Sequence, residues 1–500
     1  MPSHEAIQDI EDIPPEAPPP IHSVFGPRTK ALIIVFAAFG SVFSPLSSQI
    51  YLPTLSTLAT QFHVSASDIN LTVTSYMILQ GIAPMFFGDL VDQMGRRPTY
   101  IACFIIYFFA NLGLALQRNY AALLVLRALQ TDITTSAERG SYIAWVQLGT
   151  QLGPALGPTL GGILAQILGW TSIFWFLLIG GGIYLVLYTI LIPETSRNIV
   201  GDGSLPPKRW NRSLLNVFED RKQRPNNLSR TSSREVALTR SIHPAKSHKL
   251  RLPNPLRALR VIVEKDVSLV LFSLSLMITG FFCLIIPMPD LFAQKYSFNE
   301  LQIGLFYIPF SAGSVIGSIL CGRFLDYNFR RVACARGFTI DHKRAADLRN
   351  FPIEKARLQV VMGPLLIGAA SVLVWGWVLS QKTTLAAPLV VLFVGGFMLS
   401  GAMSMLNSLL VDLYPASPAT ATAALNLCRC SMGAVGTAAI DYIIAAWGLG
   451  WTYTFLGLLM ACPAPMLLCV MKWGPQWREE RFLRLERQAQ TKRNREDQKS

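Results

Sequence analysis

Three ionisable side chains stand inside long apolar stretches of this 500-residue chain. Arg127 is preceded by Leu-Val-Leu and followed by Ala-Leu-Gln130, whereas Arg429 and Asp441 share a later stretch. A charge in such surroundings is costly unless it faces an interior or a water-filled cavity, so each residue is a candidate for proton coupling. Arg429 and Asp441 are 12 positions apart. That is about 18 Å along a helix, so the two cannot pair directly.

Two of these residues have plainer alternatives. The long side chain of Arg127 can instead extend to the membrane interface. Asp441 is either a protonation site or a docking charge for a cationic substrate, or it has a hydrated structural role near the outer end of its stretch. The sequence leaves these alternatives open.

The composition requires a membrane around these residues. Hydrophobic residues make up 51% of the chain and charged residues 15%, and the mean hydropathy is +0.38. The apolar residues come in blocks of about twenty, long enough to cross a hydrocarbon core of about 30 Å. A soluble enzyme is therefore excluded. We predict twelve membrane spans, at residues 31–53, 71–91, 99–117, 120–133, 141–165, 172–192, 267–292, 301–326, 358–380, 387–411, 420–446 and 451–471.

Several other classes of protein are excluded by what the sequence lacks. All six histidines lie outside the apolar blocks, so a membrane oxygenase with a His-ligated metal has no ligands, and we predict neither metal nor cofactor. No GxxxxGK[ST] pattern supports ATP-driven pumping. No nucleophile, base and orienting group share a segment, so an enzyme is not expected. The net charge of +14 is spread over the connections between blocks, which indicates membrane topology rather than nucleic-acid binding.

The chain divides into five parts. We predict a disordered tail at 1–30, a six-helix bundle at 31–192, a basic disordered linker at 193–266, a second six-helix bundle at 267–471 and a basic tail at 472–500. Basic residues concentrate on one side, so the positive-inside rule makes both termini and the linker cytoplasmic. The final tail, with Arg478, Arg481, Arg484 and Arg487, is expected to be solvated; the alternative is that it lies along an anionic leaflet.

A short pattern recurs after the second and eighth blocks. Gly, Asp, Arg and Arg stand at identical spacing in the two places, and the residues are Gly88, Asp92, Arg96 and Arg97, then Gly322, Asp326, Arg330 and Arg331. A positive-inside loop would explain the arginines but not the glycines or aspartates. The recurrence indicates a duplication, which predicts two six-helix bundles related by a pseudo-twofold axis.

The first of these loops, with Gly95 included, resembles the cytoplasmic loop motif of the major facilitator superfamily. Glycines permit a tight turn there, and a carboxylate and guanidiniums can pair with each other and with helix ends. The resemblance implies that Asp92, Arg96 and Arg97 hold the two bundles together when the transporter is open outward. Gln93 and Val91 depart from that motif, so a weaker latch is expected.

The fifth block contains six glycines and prolines at regular spacing: Gly153, Pro154, Gly157, Pro158, Gly161 and Gly162. Glycines at i, i+4 and i+8 form a flat face for close helix contact, and the prolines allow a bend. A face used only for packing is one interpretation. The pattern also resembles the motif that marks proton-driven exporters within the superfamily, where this helix is thought to seal a proton leak and to bend during exchange.

Further segments are similar to the fungal twelve-span drug:proton antiporters of the quinidine-resistance type. In that family the arginine of an LxxRxxQ motif is linked to proton transfer, a role that the resemblance assigns to Arg127. The segments at 410–415, 426–429 and 448–451 carry the same resemblance, which covers most of residues 31–471.

The fourth span departs from that family. Only about fourteen usable residues lie between Asn119 and Thr134, and as a helix they reach about 21 Å, short of the core. In relatives a longer Gly- and Ala-rich stretch would follow the LxxRxxQ motif. Either a coding segment is absent from this sequence, which we favour, or the bilayer thins around a short helix. In both cases we expect impaired export by the chain as it stands.

The sequence therefore predicts an all-α membrane protein of the major facilitator fold that exports amphipathic organic compounds, such as drugs or secondary metabolites, in exchange for protons. It is expected to act as a monomer in the plasma membrane. The alternatives are a facilitator or symporter that imports a nutrient or siderophore, and a membrane sensor that binds without transport.

Overall fold

The computed structural model describes residues 27–130, 143–194, 256–335, 353–381, 384–414 and 418–497. Within these ranges the chain is helical and contains no strand. The predicted N-terminal tail up to residue 26 and linker residues 195–255 lie outside them. The helices are α1 Pro27–Gln49, α2 Leu55–Phe62, α3 Ala66–Met94, α4 Arg96–Leu116, α5 Tyr120–Leu129, α6 Ile143–Leu168, α7 Thr171–Leu191, α8 Leu256–Val263, α9 Lys265–Ile285, α10 Met288–Tyr296, α11 Glu300–Ala335, α12 Ile353–Ser380, α13 Ala386–Leu413, α14 Pro418–Ala461 and α15 Pro463–Asp497.

The helices match the predicted spans. Each of the twelve apolar blocks is helical over most of its described residues. By length and composition, eight helical stretches among these residues can cross a membrane, and the longest, from Thr420 to Gln488, includes the last two predicted spans. α14 carries the eleventh span and the start of the twelfth. Gly448, at φ 75° and ψ 168°, interrupts the helix between them.

Helix packing repeats between the two halves of the chain. In the first half α1 packs on α6, α4 on α7 and α3 on α5; in the second half α9 packs on α14, α12 on α14 and α11 on α13. Counted within each half, both sets join the first span to the fifth, the third to the sixth and the second to the fourth. Two further pairs, α3 with α14 and α6 with α11, connect the halves. The arrangement is that of two six-helix bundles related by pseudo-twofold symmetry.

Matching helix caps support the same symmetry. Ser65 and Asp68 cap the start of α3 reciprocally: the Asp68 N–H donates to Ser65 Oγ at 3.1 Å and the Ser65 N–H donates to Asp68 Oδ2 at 3.2 Å. Asn299 and Gln302 do the same at the start of α11, at 2.9 and 3.0 Å. Each pair satisfies two N–H groups that a helix start leaves without partners. We call this side of the molecule, marked by Ser65 and Asn299, the cap end, and the opposite side the motif end.

α5 is the shortest of the helices that correspond to predicted spans. It has 10 residues, about 15 Å of helix, which is half of a typical hydrocarbon core. Asn119 caps its start by accepting a hydrogen bond from the Ala121 N–H at 3.1 Å. Residues 131–142, including the end of the predicted fourth span, lie outside the described part.

Two predicted segments differ from expectation. α8 falls within the predicted disordered linker, and its residue Val261 is buried, because apolar residues in this segment give the helix one face to pack on α14. The solvated tail is wrong for α15, which continues to Asp497 and packs on α9 and α12. This segment is rich in Glu, Arg, Gln and Leu, which favour helix.

Buried ion pairs hold α15 against the second bundle. Arg481 Nη1 lies 2.9 Å from Asp266 Oδ2 at the start of α9, and Arg478 Nε lies 3.5 Å from Glu354 Oε1 at the start of α12. All four side chains are almost fully buried. The basic tail is therefore built into the second bundle, and two of its arginines are not exposed to solvent or lipid headgroups.

Candidate functional site

Arg127 lies in the last turn of α5, and its side chain is fully buried. Its Nη2 donates to the Ser47 carbonyl at 2.6 Å, and its Nη1 donates to the side-chain oxygen of Gln130. The guanidinium carbon lies 3.9 Å from the ring centre of Tyr51 and 4.6 Å from that of Tyr76. Carbonyl oxygens and aromatic faces therefore hold this charge. Within the described part of the chain no carboxylate pairs with it.

A chain of hydrogen bonds ties Arg127 to two other helices. Gln130 donates from Nε2 to Asn111 Oδ1 at 2.7 Å, and Asn111 donates from Nδ2 to the Tyr107 carbonyl at 2.8 Å. The Tyr107 hydroxyl lies 2.6 Å from Ser47 Oγ. The network thus returns to Ser47, whose carbonyl accepts from Arg127. α1, α4 and α5 share one buried polar network, and Arg127 faces the bundle interior rather than the membrane interface.

A cleft lies between the two bundles beside this network. The space between its walls is narrow and partly open to the outside. Most of its wall is apolar or aromatic, and none of its lining residues is charged; they are Ser48, Gln49, Leu52, Val73, Tyr76, Met77 and Gln80 of the first bundle, with Phe282 and Ile286 of the second. Pockets for organic ligands have this character, with a few polar groups in an apolar wall.

Arg127 lies directly behind the wall of this cleft. Tyr76 lines the cleft and also presents its ring to the guanidinium, and Ser48 lines the cleft while its carbonyl lies 3.5 Å from Nη2. Any change in the hydrogen bonds of Arg127 therefore acts on residues that a bound molecule would touch.

Polar pairs join the bundles toward the cap end. Between α3 and α14, Asn70 Nδ2 donates to Asp441 Oδ2 at 2.5 Å, and the hydroxyls of Thr74 and Thr437 lie 3.2 Å apart. Asp441 is therefore engaged in a contact between the bundles. It is not among the residues that line the cleft.

The glycines of α6 have two packing partners. Gly153, Gly157 and Gly161 face α1: a methyl group at Gly153 would come within 2.6 Å of the Leu46 nitrogen, and one at Gly161 would overlap the Ile50 carbonyl oxygen. α6 stays helical through Pro154 and Pro158. The predicted flat face therefore exists, and it packs within the first bundle.

The other side of α6 meets α11 of the second bundle. A methyl group at Gly162 would come within 2.5 Å of the Glu300 carbonyl oxygen, and one at Gly304 within 2.9 Å of the Pro158 carbonyl oxygen. The Thr159 hydroxyl donates to the Gly304 carbonyl at 3.2 Å. Hydrogen bonds between the bundles run from the cap end, where Thr57 donates to Glu300, to Asn426 in the motif-end half of the eleventh span, which donates to the Gln80 carbonyl. These bonds hold the two bundles together from the cap end to the level of the cleft.

Arg96 and Arg97 of the first loop motif contact residues of their own bundle. The N–H groups of Arg96 and Arg97 donate to the carboxylate of Glu194, after α7, at 3.0 and 3.2 Å, and Arg97 Nη2 donates to the Thr189 carbonyl at 2.7 Å. Gly95, at φ 106°, forms the break between α3 and α4. Sequence reasoning missed Glu194, although it lies among the loops at the same end of the bundle.

One part of that motif needs correction. Gly88 was expected to permit a tight turn, but it lies inside α3, two turns from the end, so the turn rests on Gly95 alone. Asp92 lies in the last turn of α3. The side chains of residues 85–93 lie outside the described part, so the expected latch of Asp92 stays a prediction.

Asp326 of the second loop motif pairs with an arginine that lies outside the motif. Arg357 of α12 lies 3.3 Å from Asp326 Oδ1 through Nη1 and 2.9 Å from Asp412 Oδ2 through Nη2. It therefore bridges α11, α12 and α13. Arg330 and Arg331 are exposed on α11. Arg357 carried no signal in the recurring pattern because it lies on the next helix.

Gly322 of the second loop motif differs from Gly95 of the first. It lies inside α11 with no neighbour within 4 Å of where a methyl group would stand. Neither a turn nor close packing requires glycine at this position in the present conformation, in contrast to Gly95.

Comparison with known proteins identifies the family. The sequence model of the Major Facilitator Superfamily matches residues 37–131 and 131–437. This chain belongs to the Major Facilitator Superfamily. It is a multi-pass membrane transporter and not an enzyme. The two matched segments meet at residue 131, two positions after α5 ends, so the family pattern is interrupted where the fourth span is short.

The relatives of this superfamily member are fungal transporters. It is 40% identical to MFS-type transporter phiD of a fungal species (strain ATCC 74256) over 481 residues, which cover 93% of this chain and 71% of the relative. It is 36% identical to MFS-type transporter tstD of Talaromyces stipitatus over 92% of this chain and 84% of the relative. It is 34% identical to Citrate exporter 1 of Aspergillus niger over 95% of this chain and 91% of the relative.

A solved structure shares the fold. The chain is similar to the crystal structure of the human organic anion transporter MFSD10 (TETRAN), with a TM-score of 0.53 and 18% identity over 88% of this chain and 100% of the other. At that identity the likeness concerns the fold. The predictions of an all-helical transporter fold and of a fungal family of transporters are confirmed.

Proposed function

We propose that this chain is a proton-coupled exporter of amphipathic organic compounds that works by alternating access. The observation that carries the proposal is Arg127, a fully buried cation without a carboxylate partner in the described residues, set directly behind the wall of the cleft. A proton or an anionic group that arrives in the cleft would change the electrostatic environment of this guanidinium. Tyr76 and Ser48 would pass that change to a bound molecule.

The direction and topology of transport belong to the same proposal. The basic loops lie at the motif end, so the positive-inside rule makes that end cytoplasmic, with both termini on the same side and the cap end outside. The bonds between the bundles toward the cap end, such as Asn70 to Asp441, support a conformation that loads from the cytoplasm. One relative is named for the export of citrate, which supports export. We propose the plasma membrane as location and a monomer as the working unit.

The test is efflux from cells of a pump-deficient yeast, with rhodamine 6G as an amphipathic cation and fluorescein as an amphipathic anion. The chain as it stands and a variant with a lengthened fourth span are compared, with and without a protonophore. We expect efflux of at least one probe that the protonophore abolishes. Arg127→Ala should abolish this efflux. Arg118→Ala, at an exposed arginine just before the start of α5, should leave the efflux unchanged.

Two other results would overturn the proposal. Uptake of the probes into cells with a rate that rises with the proton gradient would indicate an importer. Binding of either probe to purified protein, without flux in any variant, would indicate a sensor.

A further inference from the structure

Arg429 of α14 lies next to residues that line the cleft. It precedes Gly433 by one helical turn on the same face of α14. A methyl group at Gly433 would overlap Met77 Cε and come within 3.7 Å of Phe282 Cδ2, and both of these residues line the cleft. Arg429 therefore lies beside the cleft, between Gly433 and Asn426, which bonds to the cleft residue Gln80.

The hydrogen bonds of Arg429 hold it in place without neutralising it. Nε donates to Asn426 Oδ1 at 2.6 Å, and Asn426 Nδ2 in turn donates to the carbonyl of the cleft residue Gln80 at 3.0 Å. The bond through Nε fixes the plane of the guanidinium, and among the described residues no carboxylate pairs with its two terminal nitrogens. Two parallel N–H groups in a fixed plane match the geometry of a carboxylate.

Two positive charges lie close to the cleft. Every residue that lines the cleft is uncharged, and two arginines lie beside it, Arg127 behind its wall and Arg429 one turn from Gly433. Asp441, the acidic residue on the same helix as Arg429, lies about 18 Å from it along the helix and is bonded to Asn70. Two positive charges at the edge of a low-dielectric cleft attract anions and repel cations.

We propose that the cargo of this transporter is an amphipathic organic anion, whose carboxylate or similar group binds Arg429 while its apolar part lies against Met77 and Phe282. This inference rests on the proposed transport function and names its substrate class. It replaces the cationic cargo that Asp441 suggested from the sequence.

The test is thermal stabilisation of the purified full chain in lipid nanodiscs by three probes that share one skeleton. The probes are 4-phenylbutyrate, 4-phenylbutan-1-ol and 4-phenylbutylamine, which carry a negative, no and a positive charge. We expect saturable stabilisation by the butyrate, with the alcohol and the amine at least about tenfold weaker, because a charge-assisted pair is lost.

Variants link that selectivity to Arg429. Arg429→Gln, which keeps the donor toward Asn426, should weaken binding of the butyrate by about tenfold or more and leave the alcohol unchanged. Arg429→Lys should retain part of the affinity, and Arg323→Gln, at an exposed arginine of α11, should retain all of it. The thermal transition without probe shows whether each variant is folded.

The outcomes separate this inference from the proposed function. Equal stabilisation by all three probes, tighter binding of the amine, or full butyrate affinity in a folded Arg429→Gln variant would overturn it, even if proton-dependent efflux of rhodamine 6G were found. Selective butyrate binding without proton-dependent efflux would leave the anion site standing and overturn the proposed function.

Discussion

The side-chain amide of Asn70 donates to Asp441 Oδ2 at 2.5 Å and so joins the second span to the eleventh across the two bundles. This bond must break when the cap end opens, since α3 and α14 belong to different bundles. Hydrogen bonds to charged groups contribute about 1.5–3 kcal/mol, enough to shift a conformational equilibrium about tenfold or more.

Asn70→Ala is therefore expected to favour the conformation that is open at the cap end. The measurement is the rate at which a membrane-impermeant maleimide labels Thr74→Cys, a buried position beside Asn70, with labelling of the parent chain subtracted. We expect a severalfold faster reaction in Asn70→Ala. Ser380→Ala, which removes a hydrogen bond inside one helix at the same end, should leave the rate unchanged. An unchanged rate in Asn70→Ala would mean that this bond does not hold the bundles closed.

The ion pairs of α15 predict unequal effects of neighbouring arginines. Arg481→Ala leaves Asp266 buried without its partner, and breaking a buried pair in this way costs about 3–5 kcal/mol. Arg484→Ala breaks a pair with Glu264 in which the arginine is 55% exposed, and such pairs contribute about 0–1 kcal/mol. Thermal unfolding of purified protein should show a clear loss for Arg481→Ala and little for Arg484→Ala. Similar losses in both would show that α15 is not held by the buried pair.

Hydrophobic blocks were sufficient to predict the helices and the two halves of the fold. A block of about twenty apolar residues is long enough to span a membrane as a helix. Six such spans, a linker and six more spans indicate two bundles of six helices. The buried position of Arg127 was also predictable, because a charge within such a span has few other places to go. The paired caps at Ser65 and Asn299 carried a readable signal in their spacing that the sequence reasoning did not use.

The partners of charged groups could not be predicted in the same way. Arg357 of α12 and Glu194, which follows α7, contact the loop motifs from other parts of the chain. The arginines of α15 pair with Asp266 and Glu354, which are far from them in the sequence. No periodic pattern relates these positions, since each pairing depends on where separate helices end. The prediction of a solvated basic tail was wrong for the same reason, because the sequence does not show which acidic residues its arginines pair with.

The close approach of α6 to α1 predicts that Gly161 tolerates no side chain. A methyl group there would overlap the Ile50 carbonyl oxygen, and backbone cannot move aside as a flexible side chain can. Gly161→Ala should reduce both the yield of folded protein and efflux. Gly363→Ala on α12, where nothing lies within 4 Å, is the matched control and should be neutral or slightly stabilising, because alanine favours helix. Size-exclusion chromatography and efflux assays measure the two effects, and normal yield and efflux in Gly161→Ala would contradict the packing argument.

The short fourth span predicts a gain of function by insertion. α5 provides about 15 Å of helix against a core of about 30 Å, and the superfamily match is interrupted at residue 131. Insertion of ten Gly- and Ala-rich residues after Gln130 should bring the span to about twenty residues and raise efflux at equal protein levels. An insertion of ten Ser and Asn residues at the same point adds length without an apolar span, so it should give no gain. If the chain as it stands exports as fast as the lengthened variant, the bilayer must accommodate the short helix by thinning around it.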